Sequence, residues 1–416
     1  MPSPTTLRPC PTVPAGWMAG PCLLLLLVWA SVPFTLTDMA RLAAQLLVLA
    51  ALVLSLRQWR DCLRHPLCWL LLAALALQLT SWGLSHWLHP QLAERSPRLH
   101  RLAAWFFLIP VALFAGGARQ GVALCWLSAL LALLLLPWTT GNGWEELGRG
   151  IGGERVSFGL LNAQHTALLF GAALLGVWLV PANVLAPSLR DSPAGHLARP
   201  LLIASCLYGV LLSQTRGVWL ALLCGIAAAV VFRSWRGRRL RASALLLPLV
   251  LVMASPLGDA VYERLQSESP GNLQENVRVR LATWDESMHW IAQRPALGWG
   301  GQGRAAVVRA SAGLSDDERN RFRHLHSSYL DILVNWGGAG LLLYATLLGW
   351  LSLHFWRSWR GGILPEPVFT FWCAFLPYWL VANGFESFVF YQSGAYLFAL
   401  VAGGCLALCR GERAAA

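Results

Sequence analysis

The chain has 416 residues, 56% of them hydrophobic and 12% charged. A soluble domain carries about 25% charged residues, so this composition, with a mean hydropathy of +0.53, excludes an ordinary soluble fold. The net charge of +12 comes from arginine, with no lysine anywhere, and the arginines sit at the ends of apolar blocks, which argues against a nucleic-acid partner.

Apolar stretches of about 20 residues match the ~30 Å hydrocarbon core of a bilayer. The expected fold is therefore an all-α polytopic membrane protein of about twelve transmembrane helices. Their centres fall near Leu26, Leu47, Leu75, Leu108, Leu131, Leu174, Leu207, Ile226, Leu249, Leu343, Phe375 and Leu400. The first reads as a retained span, because apolar character continues from Cys22 to Leu36 without a cleavage site. The organisation expected is nine membrane helices in residues 1–256, a polar loop in 257–325 and three more helices in 326–416. The cysteines show neither a disulfide framework nor zinc-type Cys/His spacing.

Orientation follows from arginine bias in the short loops. One side holds Arg8, Arg57, Arg60, Arg64, Arg119, Arg190, Arg199, Arg233, Arg236, Arg238, Arg239, Arg241, Arg357, Arg360, Arg410 and Arg413. The other holds Arg41, Arg95, Arg98, Arg101, Arg149, Arg155 and Arg216. The bias expects both termini in the cytoplasm and the polar loop outside, in the periplasm of a Gram-negative cell.

Within that loop, Leu281, Trp284, Met288 and Ile291 form one stripe at helical spacing. The stripe reads as an amphipathic helix lying on the membrane or over a cavity. Pro295 to Gly303 follows as a tight glycine turn. A second polar helix is expected from Ser315, which stands three residues before Glu318 as in a capping box. The loop closes at His324-Leu-His326-Ser-Ser-Tyr329, and His326, Leu330, Leu333, Gly337 and Leu341 are spaced as one face of the following helix.

Four arginines and a histidine carry the candidate chemistry. Arg216, in the short turn Ser213-Gln-Thr-Arg216-Gly217, reads either as a snorkelling arginine or as an anion ligand at the mouth of the bundle. Arg280 and its neighbour Arg278 open the amphipathic helix, and Arg155 precedes the sixth span; each reads as solvated or anion-binding. His326 is either a satisfied structural histidine or a general base, since imidazole takes up a proton near neutral pH. His324 ranks below it, and His165 and His289 read as structural. There is no Walker loop, dinucleotide fingerprint, HExxH helix or nucleophile elbow. Acidic residues near spans are few, with Asp331 and Glu386 at span edges. That scarcity counts against an ion-coupled transporter and against a divalent-metal cluster.

Three segments, in this order, resemble the O-antigen ligase/polymerase superfamily: Ser213-Gln-Thr-Arg216-Gly217-Val-Trp219, Arg280 with Arg294-Pro295-Ala-Leu-Gly298-Trp-Gly300, and His326-Ser-Ser-Tyr329-Leu with Gly337. The resemblance runs from Arg155 to Leu353 and departs from the family pattern at Ser327, where members often have Asn. It implies a glycosyltransferase C-like fold in the bacterial inner membrane, with the active site facing the periplasm. The ligase branch resembles this chain most, which has a single large outer loop. That branch implies transfer of a glycan from undecaprenyl diphosphate to lipid A–core oligosaccharide, with membrane lipids as further partners. The implied roles are His326 as base, Arg216, Arg280, Arg155, Arg278 and Tyr329 as substrate ligands, and no metal or other cofactor. The alternatives are an O-antigen polymerase, a protein O-oligosaccharyltransferase, or a transporter or flippase of polyprenyl-linked glycans.

Overall fold

The computed structural model describes residues 19–116, 119–140, 143–185, 193–237 and 270–410. Every regular element among them is helical. The chain runs through α1 (Ala19–Ser31), α2 (Thr37–Arg57), α3 (Pro66–Leu88), α4 (His100–Phe114) and α5 (Arg119–Thr139). A short α6 (Trp144–Ile151) leads to α7 (Ala163–Leu179), α8 (Pro193–Leu212) and α9 (Arg216–Trp235). The polar region holds α10 (Pro270–Gln293), α11 (Gly303–Ala310) and α12 (Asp316–Arg321), followed by α13 (Ser328–Arg360), α14 (Glu366–Phe385) and α15 (Gln392–Leu408).

Among the described residues, six helices are long and apolar enough to cross a membrane: α2, α3, α5, α9, α13 and α14. The apolar helices at the expected centres Leu26, Leu108, Leu174, Leu207 and Leu400 are shorter. The block around Leu249 and the residues before Ala19 lie outside the described residues. Helices α2 and α9 leave Leu42, Leu49, Leu52, Leu223 and Val231 exposed, a surface that water would not tolerate in such density but lipid does.

Local chemistry sets several helix starts. His65 accepts from Leu67 N at the start of α3, where Pro66 occupies the first helical position and needs no donor partner. The Asn162 carbonyl oxygen caps α7 through Gln164 N and His165 N. Ser315 and Glu318 form the expected capping box at α12. Arginine also closes helix ends: Arg199 donates to the carbonyls of Val177 and Trp178 at the end of α7, and Arg410 to Ala112 O at the end of α4.

Helices α9 and α14 pack antiparallel along their length. Arg233 meets Glu366 at 3.4 Å at one end, while Gly217 lies against Phe385 at the other, where a Cβ would stand 3.0 Å from the phenylalanine Cβ. The core between α7, α13, α14 and α15 is aromatic, with Trp336, Trp372, Trp379 and Tyr378 fully buried. Their polar tips are satisfied: Trp379 Nε1 donates to Tyr344 Oη at 2.6 Å and Trp336 Nε1 to Gln78 Oε1 at 3.0 Å.

Helix α13 is broken at Gly337, whose φ of 61° and ψ of −160° belong to a backbone region open in practice only to glycine. The glycine turn after α10 enters the break. Trp299 N donates to Val334 O at 2.8 Å and Gly300 N to Asn335 O at 2.9 Å. In return Gly338 N reaches Pro295 O at 2.7 Å and Ala339 N reaches Ala296 O at 3.0 Å. These are the groups that an unbroken helix would have paired with each other, four residues apart. The turn thus satisfies these four backbone groups that the break releases, as a buried interruption requires. Gly298, at φ 65°, permits the approach, since a Cβ there would lie 2.6 Å from the backbone of Asn335 and Trp336.

Two expectations about the polar region change. The buried face of α10 is formed by Val279, Thr283 and Ser287, while Leu281 and Met288 of the expected stripe are exposed. Trp284 does turn inward, donating from Nε1 to Leu325 O at 2.8 Å. His326 is not on the face of α13. It precedes the helix with φ at +52°, a left-handed backbone that removes it from the register of Leu330 and Leu333.

Candidate functional site

One end of the bundle gathers the chemistry. It is made by the starts of α7, α9, α13 and α15, the end of α14, and the polar helices α10 and α11. Three of the four non-glycine residues with positive φ among the described residues, Phe158, Gln214 and His326, lie in its loops. Backbone strain of this kind persists only where surrounding contacts enforce it.

The contacts that enforce His326 can be traced. Leu325 N donates to Asp331 Oδ1 at 3.1 Å, and Leu325 O accepts from Trp284. Behind it Ser328 Oγ donates to Asn383 Oδ1 at 2.6 Å, and Asn383 Oδ1 also accepts from Val389 N at 3.1 Å. The histidine is therefore fastened between α10, α13 and the loop after α14.

Its electrostatic partner is Glu386, the first residue beyond α14 and buried. His326 Nδ1 stands 3.2 Å from Glu386 Oε2, and His324 Nε2 stands 3.1 Å from Oε1. Ser387 N donates to Oε1 at 2.9 Å. Burial by itself opposes ionisation of Glu386, but these hydrogen bonds and the histidine charges outweigh it and hold the carboxyl well below the ordinary carboxylate range. An ionised carboxylate only accepts hydrogen bonds. A neutral His326 therefore carries its hydrogen on Nδ1, and in that form Nε2 has a free lone pair. No protein group among the described residues pairs with that Nε2.

His324 is fixed from its other side by Tyr391, whose Oη lies 3.0 Å from His324 Nδ1. Burial and the Glu386 charge push the Tyr391 phenol above its ordinary value, so it stays protonated and donates. The ring of Tyr391 rests in turn on His165, which is buried and bonded through Nδ1 to Ser393 Oγ.

The arginines divide by task. Arg280 is half-buried and feels the Glu386 carboxylate; burial pushes its guanidinium down and Glu386 pulls it back. Its fork has no hydrogen-bond or ion-pair partner among the described residues. Arg216 is exposed at the first position of α9, and its neighbour Gly217 abuts Phe385, one residue from Glu386. Arg280 and His326 thus share a single carboxylate, and Arg216 starts α9 at the same end of the bundle.

Arg155 holds the turn that presents Arg216. Its Nε donates to Ser213 O at 3.2 Å and its Nη2 to Thr215 Oγ1 at 3.2 Å. Arg278 is a brace on the opposite face of α10, donating to Gly313 O and, at 2.7 Å, to Glu318 Oε1 in the α12 capping box. Tyr329 Oη donates to Leu380 O at 2.6 Å and ties α13 to α14.

Several participants were not among the expected ligands: Glu386, His324, Tyr391 and Arg304. Arg304 pairs with buried Asp331 at 3.0 Å and lies over the Phe390 ring at 5.1 Å. The signal available for both acids was their position, since a carboxylate at a span edge requires a cationic or hydrogen-bonding partner.

A cavity of about 800 Å³ with an almost wholly apolar lining runs between α1, α5, α7, α8 and α15. It does not lie under α10. Pro33 lines it and accepts from Gln392 Nε2 at 2.9 Å, which joins the cavity to the residue beside Tyr391.

Residues 201–345 match the family model described as O-antigen ligase. Over this segment the chain is similar to O-antigen ligases. The matched segment contains Arg216, Arg280, His326 and Tyr329, and stops short of Glu386. No curated protein matches the chain.

Proposed function

We propose that the protein is an O-antigen ligase that transfers a glycan from undecaprenyl diphosphate to a sugar hydroxyl of lipid A–core oligosaccharide at the periplasmic face of the inner membrane. The observation that carries this reading is the convergence of His326 and Arg280 on Glu386: a histidine held by a buried carboxylate, beside a half-buried arginine with an unpartnered fork, at the end of the bundle where Arg216 starts α9.

The energy of transfer resides in the donor's glycosyl–diphosphate bond, so no nucleotide is needed. Arg280 and Arg216 meet the negative charge that grows on the diphosphate as it leaves, in a site organised before the reaction. His326 Nε2 takes the proton of the acceptor hydroxyl as its oxygen attacks the anomeric carbon. The C–O bond to the diphosphate breaks with its electron pair remaining on phosphate, and the anomeric configuration inverts. Glu386 keeps the ring in the required tautomer and stabilises the imidazolium. The apolar cavity suits the polyprenyl tail, and the exposed Leu281 and Met288 suit α10 to the membrane surface.

The test is reconstitution of the purified protein in liposomes with undecaprenyl-diphosphate glycan and lipid A–core, without nucleotide. Glycan on lipid A–core supports the reading; elongation of the donor glycan instead makes the protein a polymerase, and no product of either kind removes the enzyme reading. In the same assay Arg280→Lys is expected to lose about 30-fold in rate, from about 2 kcal/mol for a charge-assisted fork that a point charge cannot reproduce. Arg278→Lys, two residues away on the bracing face, is expected to stay within about twofold. Equal losses in the two variants would contradict the division of tasks along α10.

A further inference from the structure

We propose that His324, His326 and Glu386 also form a binding site for a borderline-soft divalent cation such as Zn²⁺, and that the bound cation switches off His326 as a base. The site needs no rearrangement of the chain. One donor atom from each residue lies within 4.8 Å of the others. The two nitrogen–oxygen separations are 3.1 and 3.2 Å. Ligands bound at about 2.0–2.1 Å in a tetrahedron stand about 3.3 Å apart, and each histidine nitrogen already stands at about that distance from one of the two Glu386 oxygens. Two imidazoles and a carboxylate select zinc or copper over magnesium or calcium, which prefer oxygen ligands.

The surroundings complete the argument. Metal-binding histidines are held through their second nitrogen, and ligating carboxylates through further hydrogen bonds. His324 has Tyr391 Oη on Nδ1 at 3.0 Å, and Glu386 has Ser387 N on Oε1 at 2.9 Å. His324 and Glu386 thus stand as supported ligands, and His326 is fixed by the backbone around it.

Coordination exchanges protons in a defined way. Zinc on His326 Nδ1 displaces the hydrogen that Nδ1 shares with Glu386, and the neutral ring then carries its hydrogen on Nε2. Nε2 is the nitrogen that must accept the acceptor's proton, so a metal-bound His326 cannot act as base. His324 bound through Nε2 likewise holds its hydrogen on Nδ1, facing Tyr391 Oη as acceptor. Binding is independent of the reaction; the inhibitory consequence rests on the reading of His326 given above.

The full-length protein, purified in detergent and stripped with chelator, is titrated with ZnCl₂ by calorimetry, and its metal content is measured. One zinc per chain is expected, with no response to MgCl₂. His324→Gln, which removes a ligand, is expected to weaken binding more than about 100-fold, and Tyr391→Phe, which removes only the outer partner, about 10-fold. His289→Gln, at an exposed histidine of α10, should bind as the parent does. In the reconstituted assay zinc should stop transfer and EDTA restore it. Absence of stoichiometric zinc, or affinity unchanged in both His324→Gln and Tyr391→Phe, overturns the site. Zinc bound with transfer undiminished overturns the inhibition. Zinc bound by a protein without any transferase activity leaves the site standing and removes the ligase reading instead.

Discussion

Replacing His326 with alanine is expected to lower the rate of glycan transfer by about 10²- to 10⁴-fold, the usual contribution of a positioned general base. Donor binding should change little, because Arg216 and Arg280 are untouched. The loss therefore belongs in the chemical step and is read from single turnovers with labelled donor at saturating concentration. The fold should survive, since Glu386 keeps His324 and Ser387 N as donors and Leu325 and Ser328 hold the loop on either side. Asparagine at the same position supplies no proton acceptor of comparable basicity and should be equally slow. Transfer within a few-fold of the parent in both variants would remove His326 from the chemistry.

Gly337→Ala has a different target and an effect of similar size on the amount of folded protein. A Cβ at this position would lie 2.4 Å from the carbonyl carbon and oxygen of Ala296 and 2.6 Å from Leu297 N. Backbone is the worst obstacle to meet, because it cannot rotate aside. The φ and ψ of Gly337 add about 1–3 kcal/mol for any residue with a Cβ. Relief of the clash would pull the Pro295–Gly300 turn from the break and leave four buried backbone groups unpaired, at about 1–3 kcal/mol each. We expect a loss of at least about 3 kcal/mol, visible as a lowered thermal midpoint in detergent and as protease cleavage near Trp299. Gly349→Ala, on the same helix with nothing within 4 Å of the added Cβ, should be neutral or slightly stabilising. If both variants melt together, the turn does not hold the helix.

The two results would locate separate layers of the same site. The turn that fills the helix break also carries Trp299, whose Nε1 bonds Trp290 O at 2.8 Å and so anchors the end of α10. Arg280 and Trp284 sit on that helix, and Trp284 holds Leu325 beside His326. Backbone hydrogen bonds between the Pro295–Gly300 turn and the break in α13 therefore help to position both Arg280 and His326.

Features governed by near neighbours were open to reading from residues alone. An apolar block declares a membrane helix by length, and Ser315 with Glu318 declares a cap, because partners one turn apart meet in any helix. The family resemblance pointed to Arg216, Arg280 and His326 by motif. Pairing across long separations was not readable in this way. Glu386 stands 60 residues from His326, and its ionisation depends on histidines that only folding brings beside it. Arg278 and Arg280 are alike in type and neighbourhood; the turn of α10 alone makes one a brace and the other an unpartnered fork. The same helix divides its apolar stripe: lipid and protein interior both reward apolar side chains, so hydrophobicity cannot say which one Leu281 and Met288 face. In this protein, sequence determined the helices and the candidate site residues through local rules, composition and motif. Tertiary structure decided which charges meet, because electrostatic partnership is a matter of distance through space and of exclusion of water, and neither is written along the chain.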